Sequence, residues 1–317
     1  LNQSPQIVLV TGGAGFIGSH LAEALVGRGH HVRILDDLSS GNLDNLAAVG
    51  NQVELIEGDI RDPAVCRLAC AGVSVVFHQA ARGSVPRSIE DPATAIAVNV
   101  GGTANLLTAA RDAGVKRVVW ASSSSVYGDS TGLPKREGEE GRPLSPYALS
   151  KVQCEQLAAM FTRDFGLETV GLRYFNVYGP RQDPSGPYAA VVPRFLTAAL
   201  AGEPLEIHGD GSQSRDFTWV GDAVAANLAA ATAPREACGR AYNVAFGTSA
   251  TVLDLAHKIL AACGSSSPIV HHPRRAGDVD HSRAETMLAQ AQLGFRAATD
   301  LDTGLTRLCP GSTKEST

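Results

Sequence analysis

Short, near-continuous apolar runs alternate with helical periods through the first half of this chain. After a polar leader at 1–6, Ile7-Val8-Leu9-Val10 predicts a buried strand, followed by a helix from about Gly15 to Val26. Further strands are predicted at His31 to Leu35, Val53 to Glu57, Val73 to Phe77, Lys116 to Ala121 and Leu167 to Arg173. Helical periodicity covers about 91–113, opened by Asp91-Pro92 and carried by Ile96, Val98, Leu106 and Leu107. Another helix begins after Pro146 and runs to about Phe165. Strands apolar at successive positions belong to a parallel sheet covered on both faces.

The expected fold is therefore α/β: a Rossmann-like, doubly wound parallel sheet with a smaller mixed α/β unit after it. The rhythm breaks beyond Asn176, where Gly179-Pro180 to Gly186-Pro187 is rich in glycine and proline. This places a first domain at 1–175, with returning segments near 216–246, a second at 176–310, and a disordered tail at 311–317. No internal repeat is visible.

Composition narrows the class. With 317 residues, 44% apolar and 19% charged, the chain reads as a globular enzyme of one or two domains. No apolar run reaches the roughly 20 residues of a membrane span, and no signal-peptide layout opens it. A net charge of -5 argues against nucleic acid as partner, so an anionic ligand must be met by a few placed arginines and helix N-termini. The six cysteines form no repeating framework; Cys66 and Cys70 share a helix face, but nothing completes a metal site. No metal is expected, and reduced thiols fit a cytoplasmic location.

Thr11-Gly12-Gly13-Ala14-Gly15-Phe16-Ile17-Gly18 follows the first strand and opens a helix. Glycines so spaced permit a tight turn, close backbone approach to a pyrophosphate and tight helix–strand packing, while free helix N–H groups receive the phosphates. Asp36, at the end of the second strand, completes the dinucleotide pattern and suits the adenosine ribose hydroxyls. A 2'-phosphate within about 4 Å of it would meet repulsion of about 4 kcal/mol per unit charge at an effective dielectric near 20. That is roughly a thousandfold in affinity, so NAD is expected over NADP. Asp59-Ile60, after the third strand, suits adenine; the competing reading is a helix N-cap near Pro63.

Tyr147 and Lys151 lie four residues apart, about one helical turn, which puts a phenol and an ammonium on one face. An ordinary phenol needs a shift of roughly 3 units, about 4 kcal/mol, to act as a base at neutral pH. A positive charge about 4 Å away supplies about that at an effective dielectric near 20. Such pairs also occur on plain solvated helix faces. Ser122-Ser123-Ser124-Ser125 ends a sheet strand, where ligands bind in open α/β folds, although serine runs also make ordinary polar loops.

Together the glycine turn, Asp36, the serines and Tyr147/Lys151 resemble the extended short-chain dehydrogenase/reductase family, within the NAD-dependent epimerase/dehydratases, and most of all its nucleotide-sugar 4-epimerase branch. Val126-Tyr127-Gly128, Arg173 to Pro180, Gly209 to Phe217 and Arg275-Ala276-Gly277-Asp278 extend the resemblance over about 7–300. It implies Tyr147 as general base and acid, Lys151 as its partner, and Ser123 on the sugar 4-hydroxyl with Ser124 beside it. It assigns Gly12, Gly15, Phe16, Ile17 and Gly18 to the pyrophosphate, Asp36, Asp37, Ser39 and Gly41 to the adenosine ribose, and Asp59 and Ile60 to adenine. Gln79, Ala80, Ala81, Asn99, Ser122 and Tyr174 would complete the NAD cleft. Asn176, Ala190, Val191, Arg194, Ile207, Arg215, Arg275 and Asp278 would hold the substrate's nucleotide diphosphate, although each arginine could instead form a surface ion pair.

The implied reaction passes through a 4-keto sugar, with hydride moving to NAD and back to the opposite face. Dehydratases of the family carry an Asp-Glu pair where Ser124 and Ser125 stand, and a uronate decarboxylase a glutamate at Ser125; neither serine can serve as a carboxylate. A non-catalytic NAD-binding regulator would lack the Tyr147/Lys151 pair. Gln182 to Val191, and Ser282 where a bulky residue closes the pocket of other members, point to a UDP-N-acetylhexosamine, with UDP-hexoses or UDP-uronates as alternatives. The helices at about 91–113 and 146–165 are apolar around much of their circumference, which implies a homodimer; plain helix-to-sheet packing is the competing reading.

Overall fold

The computed structural model describes residues 5–185, 189–274 and 280–309. Seven parallel strands form the central sheet. Six are β1 (Ile7–Thr11), β2 (His31–Asp36), β3 (Val53–Glu57), β4 (Val75–His78), β5 (Arg117–Ser123) and β6 (Glu168–Tyr174); the seventh is Arg240–Val244. Their spatial order is Arg240–Val244, β6, β5, β4, β1, β2, β3. The chain adds strands outward from β1 to β3, then crosses back to β4 and continues the other way. The crevice beyond the carboxyl ends of β1 and β4 is where such a sheet accepts a ligand.

Side-chain alternation feeds two cores. Val8, Val10, Val32, Ile34, Phe77 and Val119 face the helices Phe16–Val26 and Val220–Thr232. Leu9, Leu35, Val76, Val118 and Trp120 point the other way, onto the helices Pro63–Cys70, Thr103–Asp112 and Pro146–Phe165. The Pro146–Phe165 helix has its limits written locally. Ser145 accepts a hydrogen bond from the Ala148 N–H, Pro146 occupies the first turn, and Gly166 ends it in the left-handed conformation at φ 74°.

The predicted helix at 91–113 is more elaborate than its periodicity suggests. Pro92–Ile96 runs into a π-helical stretch, Ala97–Gly102, before Thr103–Asp112 resumes the α-helix. The wider turn brings Gly102 so close to Ile60 that a Cβ there would stand 2.5 Å from its side chain. A separate helix, Val85–Glu90, precedes it, capped by Ser84.

Past Asn176 three two-stranded pairings and the helices Val191–Ala201, Val252–Cys263 and Leu301–Leu308 enclose a further core around Phe195, Ile207, Phe217, Leu255 and Leu305. The buried Asp222, on the Val220–Thr232 helix, accepts from the N–H groups of Ala298 and Thr299 and ties the C-terminal segment down. The proposed tail at 311–317 lies outside the described residues.

Arg117 fastens the returning helix to the sheet. It donates to Glu168 across the β5–β6 pairing at 2.5 and 3.0 Å, and to the carbonyls of Ala230 and Ala233 at 3.0 and 2.6 Å, with its side chain 5% exposed. Removing one partner of a buried ion pair leaves the other charge without compensation. Arg117→Met is expected to lower unfolding free energy by about 3–5 kcal/mol, read from the midpoint of urea denaturation, and Glu168→Gln in that background to recover part of the loss.

Candidate active site

The turn after β1 is held open by glycines for distinct reasons. Gly12 adopts φ +66°, and a Cβ on it would lie 2.7 Å from the Ala80 nitrogen. A Cβ on Gly18 would collide with the Gly12 carbonyl oxygen, so the helix can start this close only with glycine there. Gly13 packs toward Ile34 and does not line the cleft, which makes the Gly12, Gly15, Gly18 spacing the functional one. Gly15 caps the Phe16–Val26 helix without a side-chain oxygen, leaving its first-turn N–H groups to the cleft. This cradle fits a pyrophosphate.

A cavity of about 800 Å³ runs from this turn across the sheet edge. Gly12, Gly15, Phe16, Ile17, Gly18, Asp36, Asp37, Ser39, Gly41, Asp59, Ile60, Gln79, Ala80, Ala81 and Tyr174, the residues expected to meet the dinucleotide, all line it. Asp36 accepts from the N–H groups of Ala14 and Leu38, both at 2.9 Å, and burial raises its pKa above the ordinary carboxylate value. Gly41 approaches so closely that a Cβ would meet the Asp36 carboxylate at 2.7 Å. Asp59 instead pairs with Arg61 at 2.5 Å, a hydrogen bond that lowers its pKa, and the Pro63 helix is capped by Asp62. The N-cap alternative for Asp59 is thereby corrected, and its carboxylate stands on the cleft wall paired with a guanidinium.

At the other end of the cleft stand Ser123, Ser124, Tyr147 and Lys151. Lys151 is 5% exposed, donates to the Ala121 carbonyl at 2.9 Å, and has its Nζ 5.8 Å from the centre of the Tyr147 ring. The Tyr147 N–H donates to Ser88 Oγ at 3.0 Å, docking the helix start against Val85–Glu90. Ser123 Oγ accepts from the N–H and hydroxyl of Ser125, at 3.1 and 2.9 Å, which leaves its own proton to donate elsewhere.

Several predicted residues act otherwise than expected. Ser122 lines the cleft, but its hydroxyl donates to Glu155 at 2.6 Å and is not free to meet a ligand. Asn99 is buried, bonded to the Arg82 backbone and to Ser150, so it shapes the cleft wall from behind. Asn176 lines the cleft at a left-handed φ of 34°, its amide donating to the Asp216 carbonyl, and Ala190 lines it too. Val191, Arg194, Ile207, Arg215 and Ser282 do not. Ile207 is core, Arg194 reaches Glu206 at 3.5 Å, and Arg215 donates to the carbonyls of Ser214 and Asp280. Arg275 and Asp278 lie outside the described residues. Among the described residues no cluster of His, Cys, Asp or Glu could hold a metal ion.

The cleft also contains residues that sequence reasoning missed: Arg61, Arg82, Ser84 and Arg87. Ser84 and Pro86 carried a local helix-start signal; nothing in their spacing showed that the helix would close over Tyr147.

A profile of the NAD dependent epimerase/dehydratase family matches residues 8–245. The UDP-glucose 4-epimerase of Mycolicibacterium smegmatis is 41% identical over 303 residues, spanning 94% of this chain and 96% of its own. The solved UDP-N-acetylglucosamine 4-epimerase of Methanobrevibacter ruminantium superposes with a TM-score of 0.91 at 38% identity, covering 96% of each chain. The UDP-glucose 4-epimerase of Thermus thermophilus, solved in complex with NAD, gives 0.85 at 36% identity over 95% of this chain and 97% of its own.

Beneath the glycine turn, His78 is bonded at Nδ1 to Thr11 Oγ1 (2.7 Å) and at Nε2 to Thr103 Oγ1 (2.9 Å), while Thr11 Oγ1 also accepts from the Ala80 N–H. Burial, with a smaller contribution from Lys151, depresses its pKa to about 3. The unfolded chain therefore takes up a proton below about pH 6.5 that the folded one refuses until about pH 3. Full stability holds above pH 6.5 and declines on acidification, by up to about 5 kcal/mol from this group. Urea unfolding as a function of pH is expected to show this slope, and His78→Gln to flatten it.

Proposed function

Because the chain belongs to the NAD-dependent epimerase/dehydratase family and is an NAD-dependent enzyme, we propose that it inverts C4 of a nucleotide sugar, with UDP-N-acetylglucosamine and UDP-N-acetylgalactosamine as the preferred pair and UDP-glucose and UDP-galactose tolerated. The observation that carries this reading is the placement of Ser123, Tyr147 and Lys151 on the wall of the cleft that begins at the glycine turn. NAD, when bound, supplies the hydride acceptor and donor. The protein's part is positional and protic. Tyr147 takes the 4-hydroxyl proton and later returns it. Ser123, its oxygen already supplied with two donors, donates a hydrogen bond to the same sugar oxygen and keeps its proton. Lys151, anchored on Ala121, keeps a positive charge beside the phenol. The 4-keto sugar then turns about its diphosphate and presents its other face. Serines stand at 124 and 125, where dehydratases of the family carry carboxylates, which favours epimerisation over dehydration.

Preference for an acetylated sugar is supported by the segment Gln182 to Val191, which supplies Gln182, Asp183, Ser185, Ala189 and Ala190 to the cleft wall; Ser282, whose side chain is small, stands outside that wall. A second reading has an observation of its own. Among the described residues the guanidinium groups of Arg82 and Arg87, both lining the cleft, make no ion pair, and this favours a sugar bearing a C6 carboxylate. We also propose a homodimer through the helical segments at 92–112 and 146–165, supported by the exposed Leu149 and Phe165 on the second of them.

Incubation with UDP-GlcNAc, UDP-Glc and UDP-GlcA in separate tubes, followed through anomeric proton NMR signals, is expected to give a C4 epimer fastest from UDP-GlcNAc. Tyr147→Phe should lower that rate by about 10²–10⁴. Ser282→Tyr should cut turnover of the acetylated sugar about tenfold or more while sparing UDP-glucose; equal loss of both would contradict the preference, and product from UDP-GlcA alone would favour the uronate. Sedimentation equilibrium is expected to give twice the chain mass, and a single-chain mass would sink the dimer.

A further inference from the structure

Glu155 stands one helical turn beyond Lys151 and two beyond Tyr147, on the same stripe of the Pro146–Phe165 helix. Its carboxylate is largely buried and fully engaged. Oε1 accepts from Ser122 Oγ at 2.6 Å and from Arg173 Nε at 2.9 Å, and Oε2 accepts from Arg173 Nη2 at 2.8 Å. Ser122 and Arg173 are register partners across β5 and β6, so one carboxylate grips two adjacent strands at the level where the serine run begins. Arg173 carries the grip further. Its Nη1 donates to the Tyr127 hydroxyl at 3.0 Å, in the turn Ser124–Tyr127 that follows Ser123, and it also meets the Glu140 carboxylate.

Two consequences follow for the proton-transfer helix. One is mechanical. Lys151 bonds Ala121 and Glu155 bonds Ser122, so consecutive turns of the helix are pinned to consecutive residues of β5, immediately before Ser123. The other is electrostatic. A glutamate four residues after a lysine is placed to pair with it, yet Arg173 takes both oxygens of Glu155. Among the described residues Lys151 has no carboxylate within ion-pair distance, and its charge stays directed at the Tyr147 ring.

We propose that Glu155 and Arg173 are positioning residues for proton transfer: Glu155 holds the serine turn in register with Tyr147, and Arg173 keeps that carboxylate off Lys151. The proposal rests on the reading of Tyr147 and Lys151 as the proton-transfer pair. Other titratable groups around the pair are His78 on β4, Cys154 on the same helix, and Tyr127, Glu137 and Glu140 around Arg173. Arg82, Arg87 and Asp183 line the cleft.

The test is a difference titration of the Tyr147 phenolate absorbance, each protein measured against its own Tyr147→Phe counterpart in saturating NAD, with circular dichroism as the check on folding. Arg173→Gln releases Glu155 toward Lys151, and the midpoint is expected to rise by about one pH unit, the scale of a unit charge brought near at an effective dielectric of about 20. Adding Glu155→Gln removes the released charge and is expected to bring the midpoint back to the wild-type value. A merely structural pair would not show that recovery. If Arg173→Gln does not fold, Arg173→Lys keeps the charge but loses the two-pronged grip, with a smaller rise that Glu155→Gln again cancels. An unmoved midpoint in a folded Arg173 variant, or a shift that survives Glu155→Gln, overturns the proposal. A Tyr147→Phe enzyme that turned over sugar at the native rate would instead sink the proton-transfer reading and leave the titration result standing.

Discussion

Parallel pairing of β1 with β4 is the constraint on which the site depends. Strands are added in one direction up to β3 and in the other from β4 onward, so the connections leaving β1 and β4 diverge and open a crevice between them. Gly12 enters that crevice from one side and Gln79-Ala80 from the other, close enough that a single methyl group on Gly12 would strike the Ala80 backbone. The cleft is thus a product of topology first. Side chains then tune a space that the direction of the strands had already created.

A sheet covered on both faces normally excludes charge, yet arginines sit within β5 and β6. Arg117 and Arg173 are tolerated because each is met by a carboxylate in good geometry and by further acceptors. They divide the work between the two faces. Arg117 binds the carbonyl end of the returning Val220–Thr232 helix, and Arg173 binds the helix that carries Tyr147 and Lys151. Buried ionic contacts of this kind are directional, whereas apolar packing of the same elements would tolerate sliding. Proton transfer between a sugar hydroxyl and a single positioned side chain would not tolerate sliding.

The substrate half of the cleft is assembled from segments far apart in the chain. Val85–Glu90 docks on the start of the Tyr147 helix through Ser88, while Asn176, Gln182, Asp183 and Ala190 approach from the irregular region beyond β6. Asn176 holds a left-handed conformation that few residues other than glycine accept, and its amide bond to the Asp216 carbonyl helps to fix it there. The Asn176 side of the cleft is therefore less regular than the glycine-turn side.

That difference explains what could be read directly from the residues. The glycine turn, Asp36, the serine run and the Tyr147/Lys151 spacing were legible because each is a local pattern: a strand, a turn or one face of one helix dictates it. The limits of the Pro146–Phe165 helix were legible for the same reason, since Ser145, Pro146 and Gly166 act on neighbouring backbone groups. The π-helical stretch at Ala97–Gly102 was not, because it answers to Ile60 packed from another element. Likewise, Ser122 lines the cleft as its position suggests, but Glu155, from a distant helix, claims its hydroxyl, and nothing local marks Arg87 as a cleft residue before its helix folds over Tyr147. Local backbone chemistry alone determined the elements and marked out the candidate groups. Only packing among distant segments decided which polar atoms remained free to meet a ligand, since a hydrogen bond made inside the protein is no longer available to it.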